Sequence, residues 1–198
     1  GVSGMTWLPF TTNDGLANNK VTRIDEAPNG DLWFSHSSFS AGVSVFDGNN
    51  WISYNSPDLP ISGVCATSFS DNGDIWFASP LDGLAHYDGT NFTNYSANDG
   101  LLSNYSTSVL VDNSNNIWLG SQDGMTVMNS TINQFTFHTI MYSLPPPDTL
   151  NPVTEIAKDS WGRIWTTIYV GYLAEGGVAY WNGSQWFDFD HSDGIAGP

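Results

Sequence analysis

A tryptophan recurs along this chain at a near-fixed interval, each time between the same kinds of neighbour. The intervals from Trp33 to Trp76, from Trp76 to Trp118 and from Trp118 to Trp165 are 43, 42 and 47 residues. The four copies read Leu32-Trp33-Phe34, Ile75-Trp76-Phe77, Ile117-Trp118-Leu119 and Ile164-Trp165-Thr166. A period of this size is the sequence signature of an array in which each supersecondary unit covers the apolar face of the next.

Each repeat holds four short β-prone runs separated by polar turns. The turn before each tryptophan is rich in Asn, Asp and Gly, residues that tolerate the positive φ that tight hairpins need. The third runs open with glycine and span 42–46, 83–87, 124–128 and 177–181, and the aromatic fourth runs span 51–54, 92–95, 135–137 and 186–189. Four strands in a repeat of this length predict one blade of a β-propeller. We therefore predict an all-β fold of four-stranded antiparallel blades.

The repeats divide the chain into one continuous array. We predict blade 1 at 13–55, blade 2 at 56–97, blade 3 at 98–138, blade 4 at 139–190 and the start of a next repeat at 191–198. Residues 1–12 contain Trp7, Leu8 and Phe10, which match an aromatic fourth strand, so this segment is predicted to be the outer strand of a split blade. Four blades can close a ring. The extra strand favours instead a piece of a larger propeller, or open ends completed by another copy.

Two motifs of the repeat resemble a known family. Residues 13–21 (Asn-Asp-Gly-Leu-Ala-Asn-Asn-Lys-Val), then 29–34 (Asn-Gly-Asp-Leu-Trp-Phe), then the glycine-led third run, resemble the two-component regulator propeller repeat. The opening recurs at 99–104 and begins again at 193–195. The resemblance implies an extracytoplasmic β-propeller, of the kind found in sensor regions of hybrid histidine kinases and in secreted proteins. We accordingly expect an extracellular, cell-surface or periplasmic location.

The charge of the chain limits its partners. Four Lys and Arg against twenty Asp and Glu give a formal net charge of −16. Nucleic acid and anionic membrane surfaces both require a basic surface, so neither is expected as a partner. We expect no membrane insertion and no cofactor, with a structural Ca²⁺ as the alternative because the turns are rich in Asp and Asn. The lone Cys65 leaves no internal disulfide.

The most enlarged connections surround blade 4, at 138–152 and 167–175. Insertions in repeat arrays gather on the binding face, so we predict a ligand site here. Its candidate residues are His138, Tyr142, Tyr169, Tyr172 and Glu175, because a tyrosine ring with its polar tip suits stacking on a sugar or a peptide. The alternative is that these tyrosines cover blade ends or a contact between subunits.

The other conspicuous side chains are assigned structural roles. The repeated Trp33, Trp76, Trp118 and Trp165 are predicted to be core residues that pack between blades. The four histidines, at 36, 86, 138 and 191, lie at different phases of the repeat and cannot form one ring of ligands by symmetry. We therefore predict no metal site.

These features predict a non-enzymatic binding or sensor-type module that recognises a protein or glycan ligand through its connector loops. A structural alternative has Trp7, Leu8 and Phe10 of one copy complete the sheet edge of the next, which gives a filament if the rotation does not close. A third hypothesis is a propeller lyase or glycosidase. Asp99, Asp148, Glu175 and Asp193 are its available carboxylates. No pairing among them is evident, so we assign no catalytic residue.

Overall fold

The computed structural model describes residues 8–36, 42–129, 131, 134–139, 151–170 and 175–195. In these ranges four antiparallel sheets follow one another, each with four strands in chain order. Blade 1 holds β1 (Arg23–Glu26), β2 (Leu32–Ser35), β3 (Val43–Phe46) and β4 (Trp51–Tyr54). Blade 2 holds β5 (Ala66–Phe69), β6 (Ile75–Ser79), β7 (Gly83–Tyr87) and β8 (Phe92–Tyr95).

The second half of the array repeats this plan. Blade 3 holds β9 (Ser106–Val111), β10 (Asn116–Ser121), β11 (Gly124–Asn129) and β12 (Gln134–His138). Blade 4 holds β13 (Val153–Lys158), β14 (Ile164–Val170), β15 (Glu175–Trp181) and β16 (Trp186–Phe189). Short 3-10 turns at Ala97–Asp99 and His191–Asp193 follow blades 2 and 4. The all-β propeller architecture predicted from the repeat is confirmed.

The first hairpin turn of every blade depends on one residue with positive φ. Gly30, Gly73 and Gly162 occupy this position in blades 1, 2 and 4, with φ of 90°, 93° and 81°. Blade 3 has Asn115 there instead, with φ of 58°. Asparagine is among the few residues other than glycine that adopt this conformation at low cost. The polar turns seen in the sequence are therefore needed to bring the first and second strands of each blade side by side.

Three apolar clusters join the four blades. Blades 1 and 2 share the cluster of Trp33, Val43, Ile75 and Phe77 with its neighbours. The second cluster joins Trp76 and Leu84 to Val109 and Leu119 of blade 3, and the third joins Trp118 and Met125 to Val153 and Ile168 of blade 4. Central strands such as β6 are buried along their whole length, because blade 2 lies between blades 1 and 3.

Among the described residues, no following blade packs against the second-strand tryptophan of blade 4. Trp33, Trp76 and Trp118 are buried, whereas Trp165 is partly exposed. Within the described residues, no apolar cluster joins blade 4 to blade 1. The guanidinium of Arg163 instead lies over the Trp165 ring at 5.2 Å and over the Tyr180 ring at 4.9 Å. The array is therefore open at this face.

The opposite end of the array is covered by the segment before blade 1. Phe10 packs against Phe46 and Trp51, with ring centroids 6.0 and 5.4 Å apart. Tyr54 of blade 1 packs in the same way against the matching pair of blade 2, Tyr87 and Phe92, at 5.8 and 5.6 Å. Phe10 thus takes the place of a fourth-strand residue of a preceding blade, although Leu8 to Phe10 form no strand. Trp7 lies outside the described residues.

The first strands of the outermost blades face each other across the inner side of the array. Arg23 of β1 donates to Glu155 of β13, with Nη1 3.2 Å from each carboxylate oxygen. Glu155 also accepts a hydrogen bond from Ser108 Oγ of β9 at 2.9 Å. The first strands of the blades therefore surround a common axis, as in a propeller.

The expected loop at 167–175 is shorter than the sequence suggests. β14 continues to Val170 and β15 begins at Glu175, so Tyr169 pairs with Gly176 within the sheet. Thr167, Ile168 and Tyr169 are β-branched or aromatic, which favours continuation of the strand. The connector predicted to begin at His138 also starts later, because His138 is the last residue of β12.

A hydrogen bond anchors the tryptophan side chain to its own hairpin in three blades. Trp118 Nε1 donates to Asp112 at 2.9 Å, Trp165 Nε1 to Asp159 at 2.8 Å and Trp76 Nε1 to Ser70 at 3.1 Å. Burial disfavours the ionised forms of Asp112 and Asp159, but hydrogen bonds from indole, amide and, at Asp159, guanidinium donors outweigh it and lower the pKa of each. The pKa of Asp159 falls to about 2. Both side chains therefore stabilise the fold as carboxylates.

We expect Phe77→Ala to lower the free energy of unfolding by about 3–5 kcal/mol, because it leaves a cavity at the junction of blades 1 and 2. Phe77 is 0% exposed. Ile52→Ala, at a strand position that is 50% exposed, should change it by less than about 0.5 kcal/mol. Urea unfolding followed by circular dichroism measures both. If Phe77→Ala does not fold, Phe77→Leu provides the comparison. Equal losses for the two sites would contradict the assigned core.

We expect Asp112→Asn to reduce the loss of stability on acidification. Because the pKa of Asp112 is lower in the folded protein, its carboxylate stabilises the fold fully above the unfolded-state pKa of about 3.9. This stabilisation is lost as the pH falls through the folded-state pKa. The variant has no carboxylate there to protonate, so its unfolding midpoint should fall less between pH 5 and pH 2. Asp58→Asn is the control, since Asp58 is exposed and accepts no hydrogen bond from the described residues. Parallel curves for the wild type and Asp112→Asn would refute the assignment.

Candidate functional site

A cleft of about 430 Å³ lies between the outer part of blade 3 and blade 4. Three strands of blade 3 contribute alternate residues from one face. Asn116, Asn129 and Gln134 form one cross-strand row, and Trp118, Val127 and Thr136 form the next. His138 closes one end, and Trp181 of blade 4 forms the facing wall. The cleft exists because the pleat sends every second side chain of each strand to the same side.

Aromatic rings surround His138. Its ring is parallel to that of Trp118, with centroids 5.7 Å apart and an interplanar angle of 7°. Trp181 and Trp186 of blade 4 lie at 4.9 and 5.5 Å. Burial lowers the pKa of His138, because the charged imidazolium loses its water. The ring is therefore neutral at pH 7 and joins an apolar, aromatic end of the cleft.

Amide groups form the other end. Asn129 donates to Asn116 Oδ1 at 3.3 Å, and Asn116 Nδ2 donates to Asp112 at 2.9 Å. These bonds fix the orientation of the two amides. Gln134 and Thr136 are exposed next to them. Neutral donors and acceptors beside aromatic rings can bind a ligand that has both apolar faces and hydroxyl groups.

The structure brings only part of the predicted site together. His138 lines the cleft, whereas Tyr169 is 50% exposed and lies elsewhere on blade 4. Trp181 pairs with Ile164 at the start of β14, and Tyr169 is five residues further along that strand, which is about 16 Å at the rise of a β-strand. Tyr142 and Tyr172 lie outside the described residues, as does the side chain of Glu175.

Sequence reasoning missed most of the cleft. Asn116, Asn129 and Gln134 flank turns, so their side chains were read only as turn chemistry. The signal that could have revealed them is their register: pairing the third and fourth strands across a short turn places all three on the face of Trp118. The cleft therefore extends from the connector end of the blade, at His138, toward the β11–β12 turn.

The carboxylates of the enzyme hypothesis are engaged in turns where the structure describes them. Asp99 accepts from the backbone N–H and the hydroxyl of Ser96 at 2.9 and 2.7 Å, which lowers its pKa. Asp193 accepts from the backbone N–H of Asp190 at 3.1 Å. Asp148 lies outside the described residues. In the described part of the chain, no three His, Cys, Asp or Glu side chains lie close enough together to hold a metal ion.

Comparison with known proteins supports the repeat and the fold. Residues 100–123 match the family model described as the two component regulator propeller. No curated protein sequence matches the chain. Among solved structures, the chain is similar to the extracellular domain of a B. thetaiotaomicron protein assigned as a hybrid two-component system. The identity is 20% over 89% of this chain and 24% of that chain, with a TM-score of 0.69.

Two further structures show the same fold in different settings. PorZ, a surface component of the type-IX secretion system of Porphyromonas gingivalis, is 16% identical over 90% of this chain and 27% of that chain, with a TM-score of 0.70. Virginiamycin B lyase from Staphylococcus aureus is 16% identical over 84% of this chain and 54% of that chain, with a TM-score of 0.64. The chain thus spans about a quarter of the first two proteins and about half of the third.

Over the residues that the structure describes, there is no helix of the length and hydrophobicity needed to cross a membrane. The four sheets, the matched repeat at 100–123 and the fold of the similar structures agree with one another. Together they identify the chain as an array of β-propeller blades, within which residues 100–123 match the two component regulator propeller model.

Proposed function

We propose that this chain is a non-enzymatic binding module of an extracytoplasmic, sensor-type propeller, and that it binds a neutral glycan in the cleft between blades 3 and 4. The observation that carries the proposal is the lining of the cleft. A row of amides, from Asn116, Asn129 and Gln134, lies beside the rings of His138 and Trp181. Sugar rings offer C–H groups on their faces and hydroxyl groups at their edges, and this lining suits both.

The roles of the residues follow from their positions. Trp181 offers a partly exposed indole for stacking against a sugar face. Asn116 and Asn129, held by hydrogen bonds to one another and to Asp112, offer fixed donors and acceptors. Gln134 and Thr136 are exposed at the mouth and reach outer hydroxyls. A volume of about 430 Å³ is within the usual range for small-molecule sites, about 300–1,000 Å³.

Electrostatics favours a neutral ligand. The residues that line the cleft carry no formal charge once His138 is neutral. The whole chain carries −16, which repels anionic ligands at a distance. A neutral glycan avoids this repulsion and loses less hydration energy than an ion on entering the cleft.

The position of the cleft gives binding a mechanical consequence. Blade 3 supplies the amides and blade 4 supplies Trp181, so a bound glycan touches both blades. Such a ligand stabilises the junction of the two blades by its binding free energy. The extracytoplasmic location rests on the extracellular domains among the similar structures and on the regulator propeller repeat.

The test compares two double variants at equivalent positions of neighbouring blades. Gln134→Ala with Thr136→Ala removes two exposed polar groups of the cleft. Asn91→Ala with Thr93→Ala removes the matching groups of blade 2, which lie outside it. Loss of two hydrogen bonds should weaken glycan binding about ten-fold or more.

Calorimetric titration of a panel of neutral oligosaccharides measures the effect. The blade 2 double variant should bind like the wild type. The proposal fails if no oligosaccharide binds, or if the two double variants bind equally well.

A structural role is the second candidate, and the open face of blade 4 favours it. Trp161 is 79% exposed there, with Arg163 between it and the partly exposed Trp165. Aromatic residues and arginine are enriched at protein interfaces. This face would pack against the Phe10 end of another copy, as one blade packs against the next. Light scattering across a concentration series should then show oligomers that Trp161→Ser weakens. A monomer at all concentrations would exclude this role.

The lyase hypothesis finds no support in the described carboxylates. Asp99 and Asp193 hold connector turns, where they accept hydrogen bonds from Ser96 and Asp190. The virginiamycin B lyase in the comparison is 16% identical to this chain, so the likeness concerns the fold alone. We therefore propose recognition rather than catalysis.

A further inference from the structure

A second cavity lies between the first hairpins of blades 1 and 2, away from the glycan cleft. It has a volume of about 180 Å³. Trp33, Phe69, Ile75 and Ala27 supply its apolar walls, and Ser70 lies beside them. Asp31 and Asp71, in the two turns, contribute the acidic residues of its lining.

The cavity lies where blade 1 departs from the repeat. In blades 2, 3 and 4 the tryptophan Nε1 donates to the residue six positions earlier, which is Ser70, Asp112 or Asp159. The residue six positions before Trp33 is Ala27. A methyl group can neither accept the hydrogen bond nor fill the space of a carboxylate. Blade 1 therefore lacks the side chain that completes the other three blades.

The ring of Trp33 is nearly parallel to a ring of the fourth strand, as are the rings of Trp118 and Trp165. It stacks on Tyr54 of the fourth strand with an interplanar angle of 3°, as Trp118 stacks on His138 at 7° and Trp165 on Phe189 at 16°. At the position that accepts the tryptophan N–H in the other blades, blade 1 has Ala27, and both Trp33 and Ala27 line the cavity. Trp33 is only 5% exposed, and its indole N–H donates to no described residue. The N–H of Trp33 is therefore available to an acceptor that enters the cavity.

Ser70 adds a second donor. Its hydroxyl accepts the hydrogen bond from Trp76 Nε1 at 3.1 Å. A hydroxyl has one proton to donate as well as lone pairs that accept, so the proton of Ser70 is available to a ligand. The indole N–H of Trp33 and the hydroxyl of Ser70 are thus two donors among apolar walls. They suit a mainly apolar ligand that carries a hydrogen-bond acceptor.

The size of the cavity selects a single ring. An apolar cavity of about 150 Å³ in another protein is enough to bind benzene, and this one is slightly larger. Asp31 and Asp71 disfavour an anion. We propose that the cavity is a binding site for a small, uncharged six-membered ring with one hydrogen-bond acceptor, which receives the indole N–H of Trp33. This site is independent of the glycan cleft and does not rest on it.

The experiment compares two probes of one shape, pyridine and benzene, at pH 7.5. Pyridine is neutral at this pH and has a ring nitrogen that accepts, whereas benzene has none. The readout is the indole ¹H–¹⁵N cross-peak of Trp33, assigned by its loss in Trp33→Phe. Pyridine should shift this cross-peak and bind about five-fold or more tightly than benzene, the ratio expected for one hydrogen bond.

Two variants restore the repeat and should close the site. Ala27→Asp and Ala27→Ser place the acceptor of blades 3 and 4, or of blade 2, beside Trp33. Each should abolish the pyridine-induced shift. Asn49→Asp adds the same charge as Ala27→Asp in an exposed turn outside the cavity, and it should bind pyridine like the wild type.

Three results would overturn the proposal. Absence of binding by pyridine would mean that water satisfies the N–H of Trp33. Equal binding of pyridine and benzene would mean that the N–H is not the recognition group. An unchanged pyridine response in both folded Ala27 variants would place the probe elsewhere.

Discussion

The packing of each second-strand tryptophan against the next blade is the interaction on which this array depends. Trp33 contacts Phe69 and Phe77 of blade 2, with ring centroids 6.3 and 5.6 Å away. Trp76 and Trp118 make the same connection at the following junctions. Each repeat is too small to bury its own apolar face, so its stability comes from its neighbours. The near-constant interval between the tryptophans follows from this need.

Both candidate sites arise where side-chain volume differs between repeats. In blade 2, His86 stacks on Trp76 at 4.2 Å, and in blade 4, Tyr180 covers Trp165 at 4.8 Å. Blades 1 and 3 have the smaller Val45 and Val127 at this position, and the glycan cleft opens beside Val127 and Trp118 of blade 3. In blade 1, Ala27 replaces a polar side chain and leaves the second cavity. A repeat array can gain a site in this way without any change in its backbone.

The fold could be predicted from the sequence because its signals are local. The tryptophan period, the Asn, Asp and Gly turns and the aromatic fourth runs each specify short-range geometry. Phe10 is an example, because its place in an aromatic run like a fourth strand predicted that it packs at the blade 1 end of the array. The end of β14 could not be predicted, because Gly176 of β15, which pairs with Tyr169 there, is also typical of a loop.

The site was less predictable because it depends on register and on contacts between blades. The predicted site includes Tyr169, which lies at the end of β14 remote from the cleft. Of the expected residues only His138 lines the cleft, and the amides of Asn116 and Gln134 enter it through cross-strand pairing. The mismatch at Ala27 is visible in the sequence. Its meaning requires the knowledge that the tryptophan N–H bonds to that position in the other blades.

Backbone hydrogen exchange, resolved strand by strand, tests most directly whether packing on a following blade stabilises each unit. A backbone amide that is protected by the fold exchanges only when its part of the structure unfolds locally. The blades with the fewest neighbours should unfold locally most readily. The account predicts the slowest exchange in β6 and β10, which are enclosed by blades on both sides. It predicts markedly faster exchange in β15 and β16 of blade 4, the blade in which Trp165 is partly exposed. Equal protection of β6, β10 and β15 in a monomeric sample would contradict it.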